Sequence, residues 1–96
     1  MHKIHKQHKA EQDLIDIWLY SCQNWGVNQA DYYLDQLDES FKIIAMNPEI
    51  GVKIDYIRNG YFKYQAKEHI IFYKYNDSSI QVIRVLGNDM DYIQHL

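Results

Sequence analysis

The chain has one cysteine, one proline, four glycines and no apolar run near the length of a membrane span. A single cysteine, Cys22, excludes an intramolecular disulfide. It falls on an apolar helix face with no base suggested beside it, so it reads as a small hydrophobe rather than a nucleophile. The N-terminal Met1-His2-Lys3-Ile4-His5-Lys6 has no signal-peptide apolar region, and no segment is suited to a bilayer, so a cytoplasmic protein without a membrane partner is expected. Internal repeats and low-complexity tracts are also missing.

With 96 residues the chain allows one domain, spanning 1–96, which buries roughly 60–70% of its unfolded surface. The 47% apolar fraction can fill a dense core of that size. Nine tyrosines suit half-buried sheet faces and contact surfaces, because each joins a large apolar body to one polar end.

Net charge is −3, but it is unevenly spread. Residues 1–10 carry three lysines and no acid, residues 11–49 carry eight acids against Lys42 alone, and residues 50–96 carry six bases against five acids. An acidic middle repels phosphate backbones, which makes nucleic acid a poor partner for that half.

Leu14, Ile17, Trp18, Cys22 and Trp25 recur at helical spacing from Lys9 onward, and Gly26 offers a left-handed stop. Asn28 is positioned to cap a second helix with Asp31 near its positive end. That helix carries the stripe Ala30, Tyr33, Leu34, Leu37, Phe41, Ile44 and Ala45 and ends at Asn47-Pro48. So short a link makes the two helices an antiparallel hairpin.

Before the hairpin, residues 3–7 are a weak strand with Ile4 as its strong apolar residue. After it, residues 52–58 alternate loosely and Asn59-Gly60 signals a tight turn. Tyr61 to Ala66 alternates, Ile70-Ile71-Phe72-Tyr73 reads as a central strand, Asn76 to Ser79 as a hairpin loop and Ile80 to Leu86 as a last strand. Asp89 to His95 can add a terminal helical turn. The fold class is therefore α+β, with a short N-terminal strand and an antiparallel helical hairpin packed on a C-terminal three-stranded antiparallel sheet.

Several groupings bear on function. His2, His5 and His8 recur every third residue, but a strand sends residues three apart to opposite faces, so no metal site is expected and no cofactor motif is present. On the second helix Asp31 and Asp35 are like charges one turn apart, and only Asp38 has an obvious helical partner, Lys42. Ile15 and Leu19 lie off the main stripe on adjacent turns beside Trp18, which points to a protein covering the hairpin's outer side. The sheet half interleaves Lys53, Arg58, Lys63, Lys67, Lys74 and Arg84 with Tyr56, Tyr61, Tyr64, Tyr73 and Tyr75. Such a pattern can hold RNA, although tyrosine-rich strands need no ligand to explain them.

A resemblance runs through nearly the whole chain in order. Ala10-Glu11-Gln12-Asp13-Leu14 leads to Ile17-Trp18 and Tyr20, then Asn24-Trp25-Gly26, Gln29-Ala30, Tyr33 and Leu37. Phe41, Asn47-Pro48 and Gly51 follow, then Ile57-Arg58-Asn59-Gly60-Tyr61, His69-Ile70-Ile71-Phe72-Tyr73, Ile83-Arg84-Val85-Leu86, Met90-Asp91 and His95-Leu96. This order resembles ParE-type toxins of the RelE/ParE superfamily of bacterial toxin–antitoxin systems.

The resemblance implies the same helical hairpin on an antiparallel sheet, a cognate antitoxin forming a hetero-oligomer with the chain, and DNA gyrase as target, poisoned in its cleaved complex with DNA. On that reading Ile15, Trp18, Leu19, Asp31, Asp35, Lys63 and Arg84 contact the antitoxin. Arg58, Met90, Tyr92, His95 and Leu96 contact the target. RelE relatives instead cut mRNA on the ribosome, which here would require Lys63, Tyr73 and Arg84 to position phosphate and base. After the last strand this chain has Gly87-Asn88-Asp89, where nuclease branches tend to place basic or histidine side chains. A binding toxin without a catalytic centre is therefore expected, with a ribosome-dependent endonuclease or a non-toxic antitoxin-binding remnant as alternatives.

Overall fold

A computed structural model describes all residues, 1–96. Strand β1 (Lys3–Lys6) leads to helices α1 (His8–Trp25) and α2 (Val27–Met46), followed by a short 3-10 turn at Pro48–Ile50. Strands β2 (Val52–Lys53), β3 (Phe62–Ala66), β4 (His69–Tyr75) and β5 (Ser79–Gly87) come next, and α3 (Tyr92–His95) closes the chain. The expected α+β class and hairpin-on-sheet layering hold.

The sheet is wider than the three C-terminal strands expected. Its order is β1-β5-β4-β3-β2, with β1 parallel to β5 and the other pairs antiparallel. The weak N-terminal segment joins the sheet because Ile4 pairs with Ile80 and packs on the main core. On the opposite edge only Val52 and Lys53 of the 52–58 segment pair with a neighbour. The chain then leaves the ladder, and Asn59-Gly60 sits inside a longer loop rather than at the tip of a two-residue hairpin. There the Tyr61 N–H bonds the Arg58 carbonyl, and Gly60 alone has positive φ (82°).

Gly26 is the whole link between the long helices. Its N–H donates to the Cys22 carbonyl at 2.9 Å and its carbonyl accepts from the Ala30 N–H at 3.1 Å, so one residue closes α1 and opens α2. With φ 91° and ψ 167° it occupies a region open essentially to glycine. Asn28 is consequently not the cap. It lies in the first turn of α2, which has no side-chain cap. Trp25, read as part of the inner stripe, stands 64% exposed at the end of α1, where the chain turns away from the sheet.

Two apolar clusters sandwich the sheet. The larger lies under the hairpin and joins Ala10, Ile17, Leu37, Phe41, Ile44 and Ala45 to Ile71, Tyr73, Ile80, Val82 and Val85. The smaller lies on the other face, where Ile54, Ile70, Phe72, Ile83 and Leu86 are covered by Ile57, Tyr61, Tyr92 and Leu96. Strand β4 is central and its Ile70-Ile71-Phe72-Tyr73 run is buried throughout, as a strand covered on both faces requires. A bulge between β4 and β5 breaks the alternation. Phe72 faces Arg84 while Tyr73 already faces Val82, so Ile83 is the extra residue and Arg84 is re-aimed toward the edge of the sheet.

Candidate functional site

The hairpin's outer surface gathers five of the expected residues. Trp18 Nε1 donates to the Asp31 carboxylate at 2.8 Å, bringing these two residues level across the antiparallel helices. One turn further along α2, Asp35 comes level with the Leu14–Ile15 turn of α1. Ile15 and Leu19 remain 53% and 46% exposed, so two aliphatic side chains stand beside two carboxylates without cover. Asp38 does not pair with Lys42 as its spacing suggested. Lys42 turns to Glu39 at 3.3 Å, and Asp38 faces Lys6 of β1 at 3.7 Å.

Lys63 and Arg84 lie elsewhere and are engaged within the chain. Beyond Lys6, the edge of β5 has no neighbouring strand, and α1 crosses it there. Asp13 accepts two bonds from Arg84, Nε to Oδ2 and Nη2 to Oδ1, each 2.8 Å. It also accepts the Val85 N–H at 3.0 Å, which satisfies a backbone donor on the open edge. The hydrogen bond to Asp13 is the main reason the Arg84 guanidinium holds its proton even more firmly than usual. Arg84 Nη1 further reaches the His95 carbonyl at 3.2 Å. Arg84 thereby ties α1, β5 and α3 together.

Of the expected target-contact residues, Arg58, Tyr92 and Leu96 come together on the face away from the hairpin, whereas Met90 lines the cavity beside Asp13 and Ile17. Arg58 Nε donates to the Leu96 main-chain oxygen at 3.1 Å, Tyr92 packs on Phe72 with ring centroids 5.1 Å apart, and the Lys63 ammonium lies 5.4 Å from the Tyr92 ring centre. Leu96 joins the smaller core cluster, His95 is exposed, and Met90 sits before α3 with its sulfur 3.3 Å from the Gly87 N–H. Two arginines, a lysine and an aromatic contact thus hold the C-terminal segment over the sheet. Tyr73, the third side chain an endonuclease would need, is fully buried on the hairpin side. Its hydroxyl donates to the Pro48 carbonyl at 2.7 Å and accepts the Gly51 N–H at 3.0 Å, and burial pushes its pKa up to about 12.

The main cavity was not legible in the sequence. It measures about 620 Å³ and opens between the link end of the hairpin and the far end of β4 and β5. Tyr20, Trp25 and Tyr33 supply aromatic wall, Ile17 and Leu86 apolar wall, and Asp13, Asp16 and Glu68 carboxylates, with no lysine or arginine in the lining. His69 lies at its edge, and the Tyr33 hydroxyl is 2.6 Å from His69 Nδ1. That hydroxyl also accepts the Glu68 N–H at 3.1 Å, so Tyr33 ties the start of β4 to α2. Burial is the main cause that lowers the His69 pKa, against Glu68, Asp89 and Asp13, which favour its charged form. Burial likewise raises the Tyr33 pKa. Tyr33 is visible in the sequence only as a stripe residue and His69 only within the run His69-Ile70-Ile71-Phe72-Tyr73, since 36 positions separate them.

The three N-terminal histidines do not converge. His2 bonds the Ala45 carbonyl at 3.2 Å, His5 is exposed on β1, and His8 starts α1. No helix is long and apolar enough to cross a membrane.

Comparison with known proteins is consistent along most of the chain. The profile of the family described as "ParE toxin of type II toxin-antitoxin system, parDE" matches residues 4–92. The chain is 38% identical to Toxin ParE1 of Caulobacter vibrioides over 88 residues, which cover 92% of this chain and 91% of that protein. It is 40% identical to Toxin ParE1 of Mycobacterium tuberculosis over 88 residues, covering 91% and 90%. Its fold is similar to a chain of the "Chromosomal ParDE TA system from P. aeruginosa", with a TM-score of 0.78 and 17% identity across 91% of this chain and 96% of that one.

Proposed function

Since the chain belongs to the ParE toxin family of type II toxin–antitoxin systems, we propose that it inhibits DNA gyrase by binding and is neutralised by direct contact with a cognate antitoxin. The observation that carries the binding reading is the engagement of its candidate catalytic groups. Arg84 is held by Asp13 and the His95 carbonyl, Lys63 lies against Tyr92, and Tyr73 is buried on the opposite side of the sheet. RNA cleavage needs an accessible acid, base and phosphate-stabilising cation around one point. Gly87-Asn88-Asp89 supplies no histidine, lysine or arginine after the last strand.

The proposed surfaces lie on the hairpin and on the C-terminal segment, and they adjoin at Met90, which also lines the cavity. The antitoxin covers Ile15, Trp18, Leu19, Asp31 and Asp35 on the hairpin, where aliphatic and acidic groups adjoin. Lys63 and Arg84 belong instead to the support of the C-terminal segment. Gyrase is met by that segment, with Met90, His95 and Leu96 presented over Arg58 and Tyr92 as its base. Induced expression in a bacterial host tests the class. Growth arrest with filamentation, relieved when the neighbouring small open reading frame is co-expressed, is the expected result. Normal growth at high expression, with tight antitoxin binding retained, would instead identify a non-toxic binding remnant.

A further inference from the structure

The aromatic cavity is unassigned by the reading above, and its chemistry is specific. Its volume of about 620 Å³ suits one large side chain or a small ligand. Asp13 is already neutralised by Arg84, which leaves Asp16 and Glu68 as the carboxylates without a cationic partner in the lining. Asp16 receives only a neutral amide, from Gln12 Nε2 at 3.1 Å. Burial disfavours the charged form of His69 at the cavity edge, and its ring is engaged by the Tyr33 hydroxyl at 2.6 Å. Tyr20 and Trp25 meet edge to face with centroids 5.8 Å apart, and both are more than half exposed.

An electron-rich aromatic wall beside two free carboxylates favours a cation with an apolar shaft. A planar guanidinium can stack on Trp25 or Tyr20 while donating to Asp16 or Glu68, which an ammonium does less well. The cavity also continues the proposed antitoxin surface. On α1, Asp16 and Tyr20 each follow Ile15 and Leu19 by one residue, about 100° around the helix. A polypeptide lying on the aliphatic pair therefore reaches the cavity mouth without leaving α1.

We propose that this cavity receives an arginine side chain of the antitoxin, gripped by Trp25 and Tyr20 and paired with Asp16 and Glu68. The inference rests on the toxin–antitoxin reading and adds a second anchoring point to it. The test measures affinity of the full-length chain for its co-encoded antitoxin at two salt concentrations. Four forms are compared: wild type, Asp16→Asn with Glu68→Gln, Trp25→Ala, and a charge-matched control, Glu49→Gln with Asp77→Asn, outside the cavity.

The cavity variants are expected to bind about tenfold to a hundredfold more weakly, and the double variant to lose part of the salt dependence. The control is expected to bind like wild type. Asp16, Glu68 and Trp25 are exposed, so unchanged thermal unfolding would separate lost binding from lost fold. Unchanged affinity in the cavity variants, or an equal loss in the control, overturns the inference while leaving the toxin reading intact. Binding of ethylguanidinium in the cavity without any effect of the variants on antitoxin affinity overturns it in favour of a small-molecule site. Failure of the wild-type chain to bind the antitoxin at all removes both readings.

Discussion

The Asp13 carboxylate and the Arg84 guanidinium, 71 positions apart in sequence, meet through two bonds of 2.8 Å each, with only 11% and 15% of their side-chain surfaces exposed. Asp13 also holds the Val85 N–H, so removing Arg84 leaves a shielded carboxylate with one neutral donor. Arg84→Ala is expected to cost about 2–3 kcal/mol in urea unfolding. It also frees the His95 carbonyl, so amide exchange in α3 should accelerate more than in α2. Arg84→Lys, which cannot reproduce the two-pronged geometry, is expected to recover only part of the stability.

Tyr73 and Gly51 make a second long-range joint. The Tyr73 hydroxyl links the Pro48 carbonyl to the Gly51 N–H, and a Cβ on Gly51 would collide with that hydroxyl and approach the Lys63 carbonyl at 2.9 Å. Tyr73→Phe is expected to destabilise by about 1–2 kcal/mol through the unsatisfied buried groups. Gly51→Ala is expected to cost about 1–3 kcal/mol by overpacking, although its φ of −74° is ordinary for alanine. Combining the two changes should cost less than their sum, because phenylalanine removes the atom with which the new Cβ collides. Chemical denaturation of the four proteins measures this directly.

His69 makes stability depend on pH in a defined direction. Its pKa is lower folded than unfolded, so between those two values the unfolded chain binds more protons. Stability therefore rises with pH across that interval, and the His69 contribution is lost as pH falls below about 6.5. His69→Gln keeps an acceptor for Tyr33 but cannot titrate. Its deficit relative to wild type is expected to shrink between pH 7.5 and pH 5, as read from unfolding free energies at each pH.

The hairpin surface yields a binding prediction separable from folding. Ile15 and Leu19 are about half exposed, so replacing both with aspartate is expected to change stability by no more than about 1 kcal/mol. Antitoxin affinity should nevertheless fall at least about tenfold, because two charges would enter an apolar contact next to Asp31 and Asp35. Calorimetric titration alongside thermal unfolding distinguishes the two effects.

Local patterns made most of the fold readable. The stripes of α1 and α2, the stop at Gly26 and the apolar run of β4 each depend on neighbours a few residues away. What escaped depends on pairs far apart: Ile4 against Ile80, Asp13 against Arg84, Tyr33 against His69. No spacing rule connects such positions, and the bulge that re-aims Arg84 has no residue signature of its own. Arg84 and Lys63 looked like free cations for that reason. Their partners, Asp13 and Tyr92, lie on α1 and α3, and only the folded chain brings them near. The outer pair Ile15 and Leu19 was legible because helical periodicity alone marks them as misplaced.

Gyrase binding, in place of RNA cleavage, is the proposed activity, and a gyrase cleavage assay tests it most directly. Purified chain is incubated with gyrase and supercoiled plasmid, and trapped double-strand breaks are scored with and without the antitoxin. The account predicts dose-dependent accumulation of cleaved plasmid, abolished by equimolar antitoxin. Unchanged supercoiling and cleavage at high molar excess, together with codon-specific cuts in ribosome-bound mRNA that disappear on Arg84→Ala, would contradict it.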